Sequence, residues 1–459
     1  MRKLSVAKFG GSLLSNEGEK IPAILDCIKS LKEQDDLGPV VVFSAPNGFT
    51  DELIRIGESY THSRPLPIDS IFNTYEKIAK NHVKGKGLKQ VISELQKYRQ
   101  QMDEDVYLIN KRFSGTIKAK VLTNGGELPT SVLMEYIINS NGLDSCHVPK
   151  DQWPIVTDDN FENATPDYEL SKKKISDLVN LIEDGNVVVQ AGFLGITSDG
   201  LETMLGRGGS DLTAVFISCL LKGRYNVETV LFKELSVQSA DPSIVKDQIT
   251  QNLASLSYNE AHKASKMGMK IVQGEAISVA KLFQQPIKVM SIARPPEHTM
   301  IHSSESDEDL TVKCVTGKTG CAILTMDDQN SRSLEDALRI WENRNDFLDL
   351  GTETLETGKR IRDFLFLDSE FLKKNEERFR GFDEDLTIEE GVGVVTLVGD
   401  RMKYSSGVAS IAIGAIPEIN IKRGIFAPHT SQIILVVDES NVAATVAAIH
   451  AKRPVMNNL

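Results

Sequence analysis

Apolar runs and amphipathic stretches alternate along the first two thirds of the chain. The runs VAKF, VVVFSA, NVVVQAGFLG and PIKVMSI have the length and β-branched content of buried strands. Between them, IPAILDCIKSLKEQ and the stretch 70–103 carry apolar residues at the spacing of surface helices, the second interrupted by KGKG. This alternation predicts a mostly parallel sheet covered by helices over 1–295. A polar hinge, Arg294-Pro-Pro-Glu-His followed by SSESDEDL, predicts a linker at 296–309. Beyond it the rhythm changes. Strands LTVKCVTG and GCAILTM, a helix SLEDALRIWENRN and a strand DFLFL precede GVVTLVGD, a helix GVASIAIGAI, strands INIKRGIF and QIILVVD and a last helix NVAATVAAIHA. The recurrence is βαββαβ-like and predicts two small α+β modules, at 310–385 and 386–439. TGKTG, Thr316 to Gly320, reads as a hairpin turn, because Val312 stands where a P-loop needs its first glycine and a strand follows.

Length fits this division, since 459 residues exceed one ordinary core. With 41% hydrophobic and 25% charged residues the composition is globular, and no apolar stretch approaches the roughly 18 residues of a membrane span. A formal charge of −12 gives no basic field for nucleic acid, and Lys172 to Lys174 read as a solvated helix face. The five cysteines lack CxxC spacing and MRKLSVAKFGG lacks a signal-peptide core, so a reduced cytoplasmic compartment without zinc is expected.

Three stretches carry candidate chemistry. In KFGGS, Gly10 and Gly11 follow a strand and let backbone N–H groups approach an anion, while Lys8 adds a positive charge at the same place. A glycine turn beside a solvated lysine would explain the same residues. In GRGGSD, Ser210 or Asp211 can cap the helix LTAVFISCLL, but capping does not explain Arg207, a cation set against the positive end of a helix dipole. Arg207 is therefore expected to meet an anionic partner. NGGELPTSVLMEYIINSNG places Glu127 in the first turn of a helix ending at Gly142, where an acid also suits the dipole.

KFGGS, SAPNGFTDEL, GGEL, TDDNFENA, GRGGSD and SYNEAHKASKMGMKI together, in this order, resemble the aspartokinases of the amino-acid kinase family, nearly end to end. The resemblance implies an αβα sandwich followed by paired ACT domains. It also implies transfer of the ATP γ-phosphate to the β-carboxylate of L-aspartate, the first step toward lysine, threonine and methionine. By that likeness Arg207 and Ser210 hold the α-carboxylate, Glu127 faces the amine and Thr50 is a further substrate contact. Lys8, with the amides of Gly10, Gly11 and Ser12 and a Mg²⁺ carried on the nucleotide, neutralises the phosphoryl group. Asp211 orients Lys8, and Lys270 reaches the nucleotide phosphates after a helix opened by a Ser257/Glu260 capping box and stopped at Gly268. A carboxylate with an unperturbed pKa of about 3.9 is already ionised, so this chemistry requires no general base.

One segment departs from the family. Where aspartokinases read like TDVDGVYTTDPR, this chain reads LFKELSVQSADPS: Phe232-Lys233 replaces Thr-Asp, Gln238 replaces Tyr and Ser243 replaces Arg. Gln273-Gly274 likewise replaces a His-Pro pair. Two outcomes stay open, a nucleotide site in which Lys233 compensates by contacting phosphate or ribose, and a weakly active or non-catalytic amino-acid-sensing homologue. A related kinase acting on another acidic substrate is a further alternative. The resemblance also implies interleaved ACT units, with about 440–459 returning to the first, a homodimer or higher oligomer through them, and lysine or threonine as effector. Met326 to Ser333 and Lys403 to Gly407 are the strand-to-helix junctions at which an amino acid's carboxylate would meet free amides; capping with dimer packing is the alternative at both, and the preferred reading of the second.

Overall fold

The computed structural model describes every residue except 16, 63, 207, 304–309, 341–346 and 428–430. The chain forms two compact units, Met1–Ser236 with Val272–Ser303, and Val237–Ile271 with the residues from 304 to Leu459.

The main sheet of the first unit includes β1 (Lys3–Phe9), β2 (Val40–Phe43), β3 (Ser145–His147), β4 (Val187–Ala191), β5 (Asn226–Lys233), β6 (Ile287–Ser291) and β7 (His298–His302). They lie in the order β3-β4-β2-β1-β5-β6-β7, parallel except for β7, which returns antiparallel to β6. β7 falls inside the stretch read as a linker. Met300 and Thr299 pair with Lys288 and Val289.

Register assigns the two faces. Lys8 lies beside Val42 and Leu231, and Phe9 beside Phe43 and Phe232. Because side chains alternate, the phenylalanines share one face and Lys8 takes the other. Phe9 stacks on Phe43 and Phe232, with ring centroids 5.4 and 4.6 Å apart. That face is covered by helices that include Ile21–Gln34, Phe49–Thr61, Asp69–His82, Gly85–Tyr107 and Leu128–Ser140. The predicted 70–103 helix is thus two helices, parted near KGKG. The opposite face carries Gly209–Leu221, whose 13 residues are all buried and which is apolar almost all round, as a central helix must be.

The second unit holds an antiparallel sheet of β8 (Cys314–Asp327), β9 (Phe347–Thr354), β10 (Arg360–Phe366), β11 (Thr387–Val398), β12 (Arg423–Ala427) and β13 (Gln432–Asp438), in the order β9-β10-β8-β11-β13-β12. TGKTG is not a hairpin turn. It lies within the single 14-residue strand β8, where the ladder slips between Lys318 and Cys321. A bulge absorbs the glycines without reversing the chain. The helix Val442–Ala451 packs on β8 and β11, and a Cβ on Gly317 would stand 2.6 Å from Val442 Cγ1.

The excursion Val237–Ile271 is fastened within this unit. Ser239 Oγ and Gln248 Oε1 meet His450 at 2.9 and 2.6 Å, and Arg453 donates to Gln251 Oε1 at 2.6 Å. Met267 joins the buried cluster of Cys321, Ile323 and Val392.

Candidate active site

The chain order of the strands changes direction at β1. β2 and β4 lie to one side of it, β5 and β6 to the other. In open parallel sheets the crevice outside the carboxyl ends at such a switch point is where ligands bind. Lys8 and Lys233 stand at those ends, on β1 and β5. Since Lys8 is level with Leu231, Lys233 two residues further projects to the same face.

Lys8 is buried, and its ammonium meets Asp211 Oδ1 at 2.7 Å. Lys233 Nζ approaches the same carboxylate, 2.9 Å from Oδ2 and 3.3 Å from Oδ1, and the Gln273 N–H donates to Oδ2 at 3.4 Å. Burial pushes the Asp211 carboxyl up, but Lys233 and Lys8 outweigh it and hold the group well below the usual carboxylate range. Burial lowers the pKa of Lys8; Asp211 opposes this and Lys233 adds to it. Among the described residues Asp211 is the one acceptor of the Lys8 ammonium. An ammonium has three N–H groups, so two have no acceptor among the described residues at this buried position.

The loop after β1 is shaped by close approach. A Cβ on Gly11 would lie 2.4 Å from the Ala45 carbonyl oxygen, and one on Gly10 would lie 3.3 Å from Lys8 Nζ. Exposed Ser12 sits in the short 3₁₀ turn Gly11–Leu13. Asn47 N–H donates to Leu14 O at 3.3 Å, which binds this loop to the one after β2. There Gly48, at φ 83°, opens the helix Phe49–Thr61, with half-buried Thr50 in its first turn.

Glu127 does not open a helix. The helix Gly115–Leu122 continues through a wide turn, Thr123–Glu127, into Leu128–Ser140. Gly125 permits this, since a Cβ there would lie 2.4 Å from Leu53 Cδ2. Tyr75, whose hydroxyl lies 2.6 Å from Gly126 O and 3.1 Å from Gly125 O, satisfies the widened turn. Glu127 is therefore buried in mid-helix with no dipole to favour its charge. It accepts a long 3.4 Å hydrogen bond from Ala45 N–H and has no ion-pair partner among the described residues. Burial, only partly offset by that amide, raises its carboxyl to about 7.

Ser210 and Asp211 do not cap their helix either. Gly208, left-handed at φ 77°, is the N-cap, and both side chains lie inside the first turn. Ser210 is buried against Gly192, where a Cβ would stand 2.7 Å from Ser210 Oγ. Arg207 lies outside the described residues. Gln238 and Lys270 belong to the second unit. Gln238 is buried and accepts from Thr250 Oγ1 at 3.2 Å, and Lys270 is exposed beyond Gly268, whose φ is 108°. The Ser257/Glu260 capping box is present.

Several contributors were not singled out from sequence: Tyr75, Gly192, the Gln273 amide and Phe193, a non-glycine residue at φ 68° whose N–H donates to Thr213 Oγ1 at 3.0 Å. Gly192 had a legible signal, a glycine closing a strand. The others act through tertiary contacts. In the second unit, the amide of Asp327 at the first strand-to-helix junction already donates to Asp383 Oδ2 at 2.7 Å, and Asp328 is held by Arg362 Nε at 2.8 Å. At the second junction Gly407, at φ 91°, opens the short helix Val408–Gly414.

A parallel sheet with a buried lysine at its switch point, answered by a carboxylate on the central helix, defines an α/β protein with a cationic group at the carboxyl ends of its strands. The chain belongs to the amino acid kinase family, whose profile matches residues 3–291. Within it, the chain is similar to the aspartokinase of Helicobacter pylori, 24% identical with 98% of each chain covered. It is also similar to the aspartate kinase of Pseudomonas fluorescens, 23% identical with 97% of this chain and 96% of that one covered. In fold it matches E. coli aspartokinase III solved with aspartate and ADP, with a TM-score of 0.77, 19% identity and coverage of 98% and 99%. The aspartate kinase of Clostridium acetobutylicum follows with a TM-score of 0.67, 18% identity and coverage of 99% and 100%. The fold is thus an amino-acid-kinase sandwich followed by ACT-type α+β modules.

Proposed function

We propose that the chain is an aspartate kinase, which moves the γ-phosphoryl group of ATP to the β-carboxylate of L-aspartate. The observation that carries this reading is a pair of buried groups with capacity to spare: the Lys8 ammonium, whose one acceptor among the described residues is Asp211, and the Glu127 carboxyl, which has no ion-pair partner among them. An amino-acid substrate brings an ammonium for Glu127, and a nucleotide brings phosphate oxygens for Lys8.

The β-carboxylate is ionised at neutral pH, so no residue has to remove a proton from it. One of its oxygens forms the new bond to γ-phosphorus while the bond to the β–γ bridging oxygen breaks, and the diphosphate leaves with that electron pair. What the protein contributes is position and positive charge. Lys8 and the amides of Gly10, Gly11 and Ser12 serve the phosphates. A Mg²⁺ carried on those phosphates supplies further positive charge. Asp211, ionised and engaged by two lysines, orients Lys8 and is too weak a base for proton transfer. Ser210 and Arg207 hold the α-carboxylate, and Thr50 lines the substrate side.

Hydroxylamine trapping of the acyl phosphate, with aspartate and MgATP, tests the reading. Trapped product that requires aspartate is expected, and nucleotide binding without product would leave an amino-acid sensor instead. Lysine or threonine, acting through the ACT modules of an oligomer, is the proposed effector; one or the other, added to the same assay, should lower the rate, and rates unchanged by both would remove the regulatory part.

A further inference from the structure

The geometry points to Lys233 as a second phosphate-directed cation that shares Asp211 with Lys8 and makes nucleotide affinity depend on the β- and γ-phosphates more than on the nucleoside. This rests on the kinase reading and adds a residue absent from the family motifs that support it.

Asp211 needs one lysine for neutrality and has two, with Nζ–O distances of 2.7 and 2.9 Å, so the three groups carry a net charge of +1. The second ammonium makes the charge of the first costlier, a cost that an arriving anion removes. The next residue does not cancel it, because the Glu234 carboxylate is paired with Lys20. Lys233 also keeps an open side, at 23% exposure against 8% for Lys8. Its neighbour Phe232 stacks on Phe9 in the core and offers no polar group, so the whole departure from Thr-Asp is concentrated in this ammonium. Both lysines share one sheet face beside the glycine amides after β1, where a chain of phosphates rather than a single carboxylate can engage two cations together.

Calorimetry with AMP, MgADP and MgATP on the wild type, Lys233→Met and Lys233→Arg tests this. The methionine variant should bind MgADP and MgATP about 10- to 100-fold more weakly, the range of a lost charged hydrogen bond, and bind AMP as the wild type does. Its KM for ATP should rise while its KM for aspartate stays within about threefold, and arginine should restore most of the loss. Equal weakening of AMP and ATP, or no weakening while the wild type binds ATP and phosphorylates aspartate, overturns the role of Lys233 and leaves the kinase intact. A wild type that binds no nucleotide overturns both. Should the methionine variant unfold, the arginine variant still decides, because a phosphate role predicts retained preference for ATP over AMP and loss of that preference contradicts it.

Discussion

Glu127 couples pH to both stability and ligand binding, with opposite signs. Its carboxyl titrates near 7 in the folded chain against 4.5 ordinarily. A raised folded pKa contributes stability that is complete below the unfolded value and disappears as pH rises through the folded one. Glu127→Gln should therefore gain on the wild type between pH 5 and 8, by up to about 3 kcal/mol, as read from paired denaturation curves. A gap that does not change with pH would contradict the buried, unpaired carboxyl. Aspartate affinity should move the other way, tightening for the wild type as pH passes 7 and remaining flat for the glutamine variant. Asp211→Asn leaves two ammonium groups without their carboxylate and should cost about 3–5 kcal/mol; a melting temperature like the wild type's would show that the triad is not coupled. The identity of Lys8, Glu127 and Asp211 was legible in the motifs. What holds them was not, since the mid-helix setting of Glu127 depends on Leu53 and Tyr75, far away in sequence.

Turns and helix starts set the positions of these groups. Gly11→Ala puts a methyl where only 2.4 Å separates it from the Ala45 carbonyl, so the loops after β1 and β2 must part. A shift of about 1 Å in a reacting group can cost on the order of 100-fold in rate, and kcat should fall by about that factor with the fold retained. Unchanged kcat would mean that the loop contact does not position Lys8. Tyr75→Phe removes the donor to Gly125 and Gly126 and should cost about 1–3 kcal/mol, measured by urea unfolding. Strands β1, β2, β4 and β6 and the helix Ile21–Gln34 were visible as hydrophobic patterns because burial on both faces leaves continuous apolar runs. β7 and β9 were missed because they are polar: β7 reads HTMIH and β9 FLDLGTET, with no apolar run to mark them.

For the whole chain, the split into two units crosses the sequence three times. The segment 237–271 interrupts the first unit's sequence yet buries Ala240, Val245 and Met267 with residues beyond 311. Expressed alone, residues 1–303 should expose those side chains, bind an apolar dye and aggregate; a monomeric, dye-silent 1–303 fragment would contradict this partition. Hydrophobic periodicity reports which residues are buried, never against what, so this excursion could not be read from sequence. No described helix is long and apolar enough to cross a membrane. The central claim, that Lys8 and Glu127 make this fold a kinase for an amino-acid carboxylate, is tested most directly by ³¹P NMR of ATP turnover with aspartate by the wild type and Lys8→Met. The account predicts an acyl-phosphate resonance that needs aspartate and falls at least about 1,000-fold in rate in the variant. Equal rates in the two proteins, or a wild type that leaves ATP intact, would contradict it.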